Sequence, residues 1–230
     1  MVKFICYFGQ EPEKTKLIVA AISGLLHSQP VLLEHIPALG PLPRMLRTLS
    51  SASSSSSASG LLNLLRPISN SCTCVDALSR LECIQPVAAS IRSYPEHLHI
   101  GLEYLERVIN SPNGTEEFVQ QSVSCDLVTQ LLKLLDEGSH PHLTPSGRAL
   151  VVSILKALSA SRIHGSRIAS VLEKSPSWAS YRDQRHDLFL QASASSAILP
   201  AGVAGYITHN RASTLPKQLS PPTDPLQSTD

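Results

Sequence analysis

The chain has 230 residues, of which 42% are hydrophobic, 16% are charged and only 4% are aromatic, and its formal net charge is +1. A nearly neutral chain has no general attraction to nucleic acid or to an anionic membrane, and so few aromatic residues disfavour a base-stacking surface. The composition therefore argues against a nucleic-acid-binding protein. The length suffices for one domain or for one stretch of a repeat array.

The chain contains five cysteines, an odd number at irregular spacing. In a chain long enough to have a core, this pattern is typical of reduced thiols and favours the cytoplasm. The apolar run Phe4–Phe8 is too short for the core of a signal peptide, and no apolar run approaches the roughly 20 residues of a membrane span. We therefore expect a cytoplasmic protein that associates with membranes only peripherally.

The first helix is predicted over 13–27, where apolar residues recur as adjacent pairs at every fourth position. A shorter helix follows over 31–36, and another opens at Pro41 and runs through Leu49. Residues 1–49 are thus predicted to be an N-terminal portion of a helical repeat array.

Residues 50–59 consist of serine and alanine. Serine has little apolar surface to bury and competes for backbone hydrogen bonds, so a flexible loop is predicted over 50–60. A phosphorylated loop is the functional alternative. The plain linker is favoured because no basic or proline-directed context surrounds these serines.

Helical patterns resume after the serines. Short apolar stripes predict a succession of further helices over 61–65, 75–81, 84–91, 98–109 and 116–123. The sequence Ser111-Pro-Asn-Gly114 is a strong turn signal between the last two.

The most marked apolar stretch is a pair of helices within 125–174. Ser124 is the expected N-cap of the first, and Gly138 suits the left-handed turn after its end. Thr144 and Pro145 open the second helix as N-cap and first-turn residue. Each fully buried leucine or isoleucine contributes roughly 1.5–3 kcal/mol, so the two helices are expected to pack on each other and on their neighbours.

Short helices in succession, separated by proline and glycine turns, predict an all-α fold of the armadillo/HEAT-like solenoid type. A closed helical bundle is the competing architecture, since no strict repeat period is visible in the sequence. The solenoid is favoured because short connections place each helix beside its neighbours in sequence. Residues 61–190 are assigned to the armadillo-like repeats and their C-terminal cap.

The proposed cap is a segment rich in large apolar residues, which would cover the open end of the solenoid core. Trp178, Tyr181 and Phe189 are the candidate capping or partner-binding residues, with Trp178 expected against the helix of Leu150–Leu158. The remainder, 191–230, lacks the apolar content to order itself and is predicted to be a mostly disordered tail. Tyr206 lies there in a short apolar peptide, for which disorder, a linear docking motif and a packed strand-like segment are all retained.

No constellation of residues points to catalysis: the sequence shows no Gly-rich phosphate loop, no nucleophile elbow and no paired carboxylates in a plausible cleft. Cys72, Cys74 and Cys83 could be metal ligands, but a second ligand pair is missing, and buried thiols are the favoured interpretation. His140 and His142 are interpreted as loop histidines. We therefore predict no catalytic residue, no cofactor and no metal, and a protein that is not an enzyme.

Two segments near the C-terminus are specific enough to identify a relative: Ser177-Trp-Ala-Ser-Tyr-Arg-Asp-Gln-Arg-His-Asp-Leu-Phe-Leu190 and Gly202-Val-Ala-Gly-Tyr-Ile-Thr208. They closely resemble the receptor-mediated-endocytosis protein eight family, large J-domain proteins of DnaJ subfamily C. The similarity extends in order over nearly the whole chain, through 28–43, 126–135 and 219–224. The chain resembles the C-terminal part of such a protein.

This resemblance implies a set of expectations. Family members carry a J-domain that recruits an Hsp70-class chaperone, have armadillo-like repeats, and work on early endosomes with sorting nexins and the actin-nucleating complex. His186-Asp187 lacks the proline of the J-domain motif, so chaperone stimulation is not carried over. The expected function is a non-enzymatic scaffold in receptor-mediated endocytosis and endosomal sorting and recycling. The alternatives are a chaperone regulator, acting only when joined to the missing J-domain, and a generic armadillo-type adaptor.

Overall fold

The computed structural model describes residues 12–112, 114–136 and 140–182, all within one compact unit, Met1–Arg185. These residues form twelve α-helices and one 3-10 helix, and no β-strand occurs among them. The α-helices are α1 (Pro12–Ser28), α2 (Val31–Leu39), α3 (Leu42–Ser50), α4 (Ser55–Ile68), α5 (Cys72–Ser79), α6 (Ile84–Ser93), α7 (Leu98–Ile109), α8 (Thr115–Ser124), α9 (Leu127–Asp136), α10 (Pro145–Ser159), α11 (Gly165–Glu173) and α12 (Pro176–Arg182). The 3-10 helix Pro95–His97 precedes α7. The prediction of an all-α fold is confirmed.

The helices are organised in successive units of three. The first helices of the units, α1, α4, α7 and α10, begin at residues 12, 55, 98 and 145, and each packs on the next in that order. The second helices pack likewise from α2 to α5 to α8, and the third helices pair as α3 with α6 and α9 with α12. Units of 43 to 47 residues match the roughly 40–47 residues of armadillo and HEAT repeats. The predicted helical solenoid is therefore confirmed.

Polar contacts repeat with the same period. The Tyr94 hydroxyl donates to the Ala52 carbonyl at 3.0 Å, and the Gln121 Nε2 donates to the Ser79 carbonyl at 2.9 Å, each across 42 residues of sequence. The Ser161 hydroxyl donates to the Glu116 carboxylate at 2.7 Å across 45 residues. These bonds join a unit to its neighbour, and the first two satisfy backbone carbonyls at or just after the end of a helix.

The serine-rich segment is largely helical, and the prediction of a flexible loop over 50–60 is wrong. Only residues 51–54 separate α3 from α4, and the Ser54 hydroxyl caps α4 by accepting from the Ser57 N–H. Ser57, Ala58 and Gly60 are buried, because the small side chains on α4 let α1 lie close against it. Composition indicated a loop, but the capping hydroxyl and the extensive packing of α1 on α4 stabilise the helix.

Of the two helix starts predicted for α9 and α10, the one at Thr144 is confirmed and the one at Ser124 is wrong. The Thr144 hydroxyl accepts from the Gly147 N–H at 3.1 Å and so caps α10. Ser124 instead ends α8, and the turn into α9 passes through Asp126 at a φ of 56°. The two helices contact each other, although α10 packs chiefly on α7, the first helix of the preceding unit. Gly138 lies outside the described residues.

One continuous hydrophobic core runs through all four units, from Val19 in α1 to Trp178 in α12. Its largest fully buried side chains include Tyr104 and Phe118. At Gly101 a β-carbon would collide with the Ile91 side chain, so a glycine is needed where α6 and α7 approach closely. No described helix is both long enough and apolar enough to cross a membrane.

The last described helix, α12, closes the C-terminal end of the core. Its Trp178 is 6% exposed, and the Trp178 N–H donates to the Ser175 hydroxyl at 3.3 Å. The prediction placed Trp178 against α10, whereas α12 packs mainly on α9 and α11. The reason is the repeat: as the third helix of its unit, α12 stacks on the third helix of the unit before. The predicted tail, 191–230, lies outside the described residues.

Candidate functional site

A groove of about 930 Å³ runs along the first helices of three successive units, α1, α4 and α7. We call it the first-helix groove. It is lined by Val19, Ala20, Ser23, His27, Ser55, Ser56, Ser59, Gly60, Asn63, Arg66, Pro67, Asn70, His97 and Arg107. Most of these side chains are small or polar, so the groove offers hydrogen-bonding groups rather than an apolar slot.

The charged side chains that line the first-helix groove are all basic. Arg66 and Arg107 carry fixed positive charges. No carboxylate lies among its described lining residues. The chain as a whole is almost neutral, so the groove differs in charge from the average surface.

Arg107 is held by two hydrogen bonds. It is half-buried in α7, and its Nη1 donates to the Arg66 carbonyl at 3.2 Å and to the Asn70 Oδ1 at 3.1 Å. Both acceptors are neutral. The guanidinium is thus held in one place by contacts that leave its charge uncompensated.

Arg66 lies one unit earlier, near the end of α4, with 46% of its side chain exposed. Its Nε contacts the Glu103 Oε2 at 2.9 Å. Glu103 also contacts His99 Nε2 at 3.4 Å, so this carboxylate is shared. The ion pair connects α4 to α7 at the border of the groove, and a half-exposed pair of this kind contributes little to stability.

The other end of the groove carries hydroxyl groups at the start of α4. The Ser55 hydroxyl donates to the Glu96 carboxylate at 2.5 Å, and His97 Nε2 lies 3.1 Å from the Ser55 carbonyl. The hydrogen bond from Ser55 lowers the pKa of the exposed Glu96 carboxyl. The Ser56 hydroxyl is buried and has no hydrogen-bond partner within the described region.

The cysteines considered as metal ligands do not form a site. Cys72 is exposed, while Cys74 and Cys83 are buried. Cys74 Sγ donates to the Leu33 carbonyl at 3.1 Å, and burial raises the pKa of the Cys83 thiol to about 12, beside the completely buried Tyr104. No cluster of three or more histidine, cysteine, aspartate or glutamate side chains suited to a metal ion occurs in the part of the chain that the structure describes.

The residues proposed from the sequence as capping or partner-binding residues lie away from the groove or outside the described residues. Trp178 is buried and Tyr181 is half-buried, and both contact the core from α12. Phe189 and Tyr206 are outside the described residues. His140 and His142 have ring centroids 6.1 Å apart in the loop before α10.

Sequence reasoning missed the first-helix groove. Arg66 and Arg107 lie 41 residues apart, and neither belongs to a motif. One signal was available: each is a basic residue in the last turn of a first helix. That equivalence becomes visible only when the repeat period is known.

Comparison with known proteins gives one relevant similarity. No protein-family model and no solved structure matches the chain. The chain is 28% identical, over 94% of its length, to the protein named DnaJ homolog subfamily C GRV2 from Arabidopsis thaliana. It spans only about 10% of the length of that relative. The similarity to DnaJ homologs of subfamily C that the sequence predicted is thereby confirmed.

Proposed function

We propose that the chain is a non-enzymatic scaffold segment of an endosomal J-domain protein, with a role in receptor-mediated endocytosis and in sorting and recycling at early endosomes. The support for this proposal is the similarity to a DnaJ homolog along almost the whole chain. The endosomal part of the proposal comes from the segments that resemble the receptor-mediated-endocytosis protein eight family.

The observation that carries the scaffold role is the stacking of equivalent first helices, which leaves an open polar groove across three units. Solenoids present successive helices to extended partners in this way. Sorting nexins and the actin-nucleating complex of endosomes are the partners that we propose, with peripheral association at the early endosome.

Proximity labelling in cells tests this proposal. The chain carrying a biotin ligase should enrich sorting nexins and subunits of the actin-nucleating complex over the ligase alone, and should overlap with an early-endosome marker. A matched control is Leu105→Asp, which places a charge at a site that is 0% exposed and should unfold the array. A diffuse distribution with no enrichment would reject the endosomal role and favour the generic armadillo-type adaptor.

A second candidate function is regulation of an Hsp70-class chaperone when the chain is joined to a J-domain. The observation that favours it is that the similar protein is a DnaJ homolog of which the chain covers about a tenth. The isolated chain should leave single-turnover ATP hydrolysis by the purified chaperone unchanged. An acceleration that His186→Gln abolishes would contradict this expectation and would assign the activity to the chain itself.

A further inference from the structure

We infer that the first-helix groove binds an extended acidic segment of a partner protein, with its carboxylates on Arg66 and Arg107. This inference rests on the proposed scaffold function and specifies the chemistry of the partner. The two arginines come from consecutive first helices and border the same groove, in which every charged lining residue that the structure describes is basic.

The charge of Arg107 is the first argument. A half-buried cation loses part of its hydration, and this loss is offset only when an anion or several dipoles contact it. Arg107 contacts two neutral oxygens, those of the Arg66 backbone and the Asn70 side chain. Since a guanidinium has five N–H donors in a planar fork, these two contacts through Nη1 leave donors for a carboxylate.

Arg66 supplies the second positive group. Its described contact with Glu103 engages the Nε, and the side chain is nearly half exposed. Guanidinium groups bind carboxylates most strongly in the bidentate arrangement. An entering carboxylate can therefore bind the terminal nitrogens of Arg66 while Glu103 retains the Nε.

The hydroxyl-rich end of the groove supplies groups for the peptide backbone. Ser55 lines the groove here, and its hydroxyl oxygen, which already donates to Glu96, can accept from a peptide N–H. Ser59 and Asn63 line the groove between this end and Arg66. An extended chain that lies across the groove meets hydrogen-bonding groups first and cations afterwards.

The dimensions favour a peptide over a membrane surface. Packed helices lie about 8–10 Å apart, so three first helices span roughly 20 Å, which corresponds to about six extended residues. Arg107 is a half-buried residue whose Nη1 donates to the Asn70 side chain, a position that a single extended chain can reach more easily than a flat bilayer can.

Fluorescence anisotropy with the full chain tests the inference. The probe is a labelled peptide of about eight residues in which glutamate alternates with serine, and the matched probe has glutamine in place of glutamate. We expect binding of the glutamate peptide that weakens with added salt. The double variant Arg66→Gln/Arg107→Gln should weaken it at least about tenfold.

Three controls keep the result interpretable. Arg80→Gln removes an exposed arginine outside the groove, one that pairs with Asp76, and should leave binding unchanged. Arg107→Lys retains the charge without the planar fork and should bind more weakly than the wild type but better than the double variant. Thermal unfolding by circular dichroism verifies that each variant is folded. If the Arg107→Gln variant does not fold, Arg66→Gln alone should still weaken binding several-fold.

Each contrary outcome overturns the inference. Equal affinity for the glutamate and glutamine peptides, or for the wild type and the folded Arg66→Gln variant, would exclude a carboxylate site. Binding to vesicles containing phosphatidylserine that depends on the two arginines, without peptide binding, would reassign the groove to a membrane. If the variants retain the proximity-labelled endosomal partners, the scaffold proposal stands and only the groove assignment fails.

Discussion

The two ends of the described helical array differ in how much of their apolar side chains is exposed. At the N-terminal end of the described residues, α1 packs on α4 and α2 packs on α5, and Leu17 and Val31 are 72% and 70% exposed. At the C-terminal end, α12 folds against α9 and α11, and Trp178 is 6% exposed. The C-terminal unit is not fully covered, since Ile163 remains 69% exposed in the turn before α11.

This difference follows from the repeat. Within the described residues, an interior helix such as α4 is covered by first helices on both sides, α1 and α7, whereas α1 stacks on one first helix, α4. In a linear array each unit contacts only its neighbours. The apolar surface that a helix buries therefore depends on its neighbours in the array, and the cost of shortening a side chain should follow the exposure of that side chain.

The largest effects are expected for buried aliphatic residues in the C-terminal half. Leu131→Ala and Ile154→Ala, both at sites 0% exposed, should each lower the free energy of unfolding by about 2–5 kcal/mol, because each leaves a cavity. Leu17→Ala at the exposed N-terminal end should change it by less than about 0.5 kcal/mol. Urea unfolding followed by circular dichroism compares them. Similar losses at the three sites would show that the exposure of the side chain does not set the cost of its truncation.

A smaller effect is expected at the closed C-terminal end itself. Trp178→Ala should cost about 1–3 kcal/mol, less than a central tryptophan, because the short terminal helix α12 can detach locally. Limited trypsin digestion reports the detachment as faster cleavage after Arg182. Ser180→Ala on the exposed side of the same helix is the control and should digest like the wild type. Unchanged digestion of the tryptophan variant would show that α12 does not close the core.

The next effect concerns the helix start that joins the C-terminal unit to the array. Thr144→Ala removes the hydroxyl that caps α10 and should cost about 1 kcal/mol. Ser124→Ala is its matched control: this hydroxyl bonds the Gln120 carbonyl within α8 and caps no helix, so the loss should stay below about 0.5 kcal/mol. Differential scanning calorimetry resolves the two. A larger loss for the Ser124 variant would reverse the assignment of the caps.

The smallest effect is a pH dependence between the last two units. The Ser161 hydroxyl and the backbone N–H of Arg162 both donate to the Glu116 carboxylate. These hydrogen bonds, that from Ser161 most of all, lower the pKa of the Glu116 carboxyl. A carboxyl whose pKa is lower in the folded state stabilises the protein above its unfolded pKa of about 4.3, and this stability is lost as pH falls through the folded value. Glu116→Gln should therefore flatten the acid side of the stability curve between about pH 5 and 3. Glu117→Gln, at the exposed neighbouring position, should leave the acid side of the curve unchanged. If both variants lose stability identically as the pH falls, the role of Glu116 is contradicted.

Most helices were predictable from the sequence because their signals are local. Apolar spacing identified α1 and α7, and Thr144 marked the start of α10. The serine-rich start of α4 was missed because its burial depends on α1, a helix more than 25 residues earlier in the chain. The Ser124 cap was wrong because a serine in the last turn of one helix and a serine before the next look alike in sequence.

The groove was not predictable in the same way. Arg66 and Arg107 are ordinary surface arginines in sequence, and only the stacking of α4 on α7 brings one beside the other. The placement of Trp178 shows the same limit: its large apolar side chain indicated burial, but the choice of α9 and α11 over α10 depends on the repeat geometry.

By itself, the sequence determined the all-helical class and most helix positions, because helix formation depends on spacings of three or four residues and on capping side chains. It also determined the similarity to DnaJ homologs of subfamily C, which rests on specific segments of the chain. Only the tertiary structure decided the three-helix period, the helical state of the serines and the basic groove. These features arise from contacts between residues about 40 positions apart, where small side chains, glycines and hydrogen bonds act together. No local pattern encodes how those contacts combine.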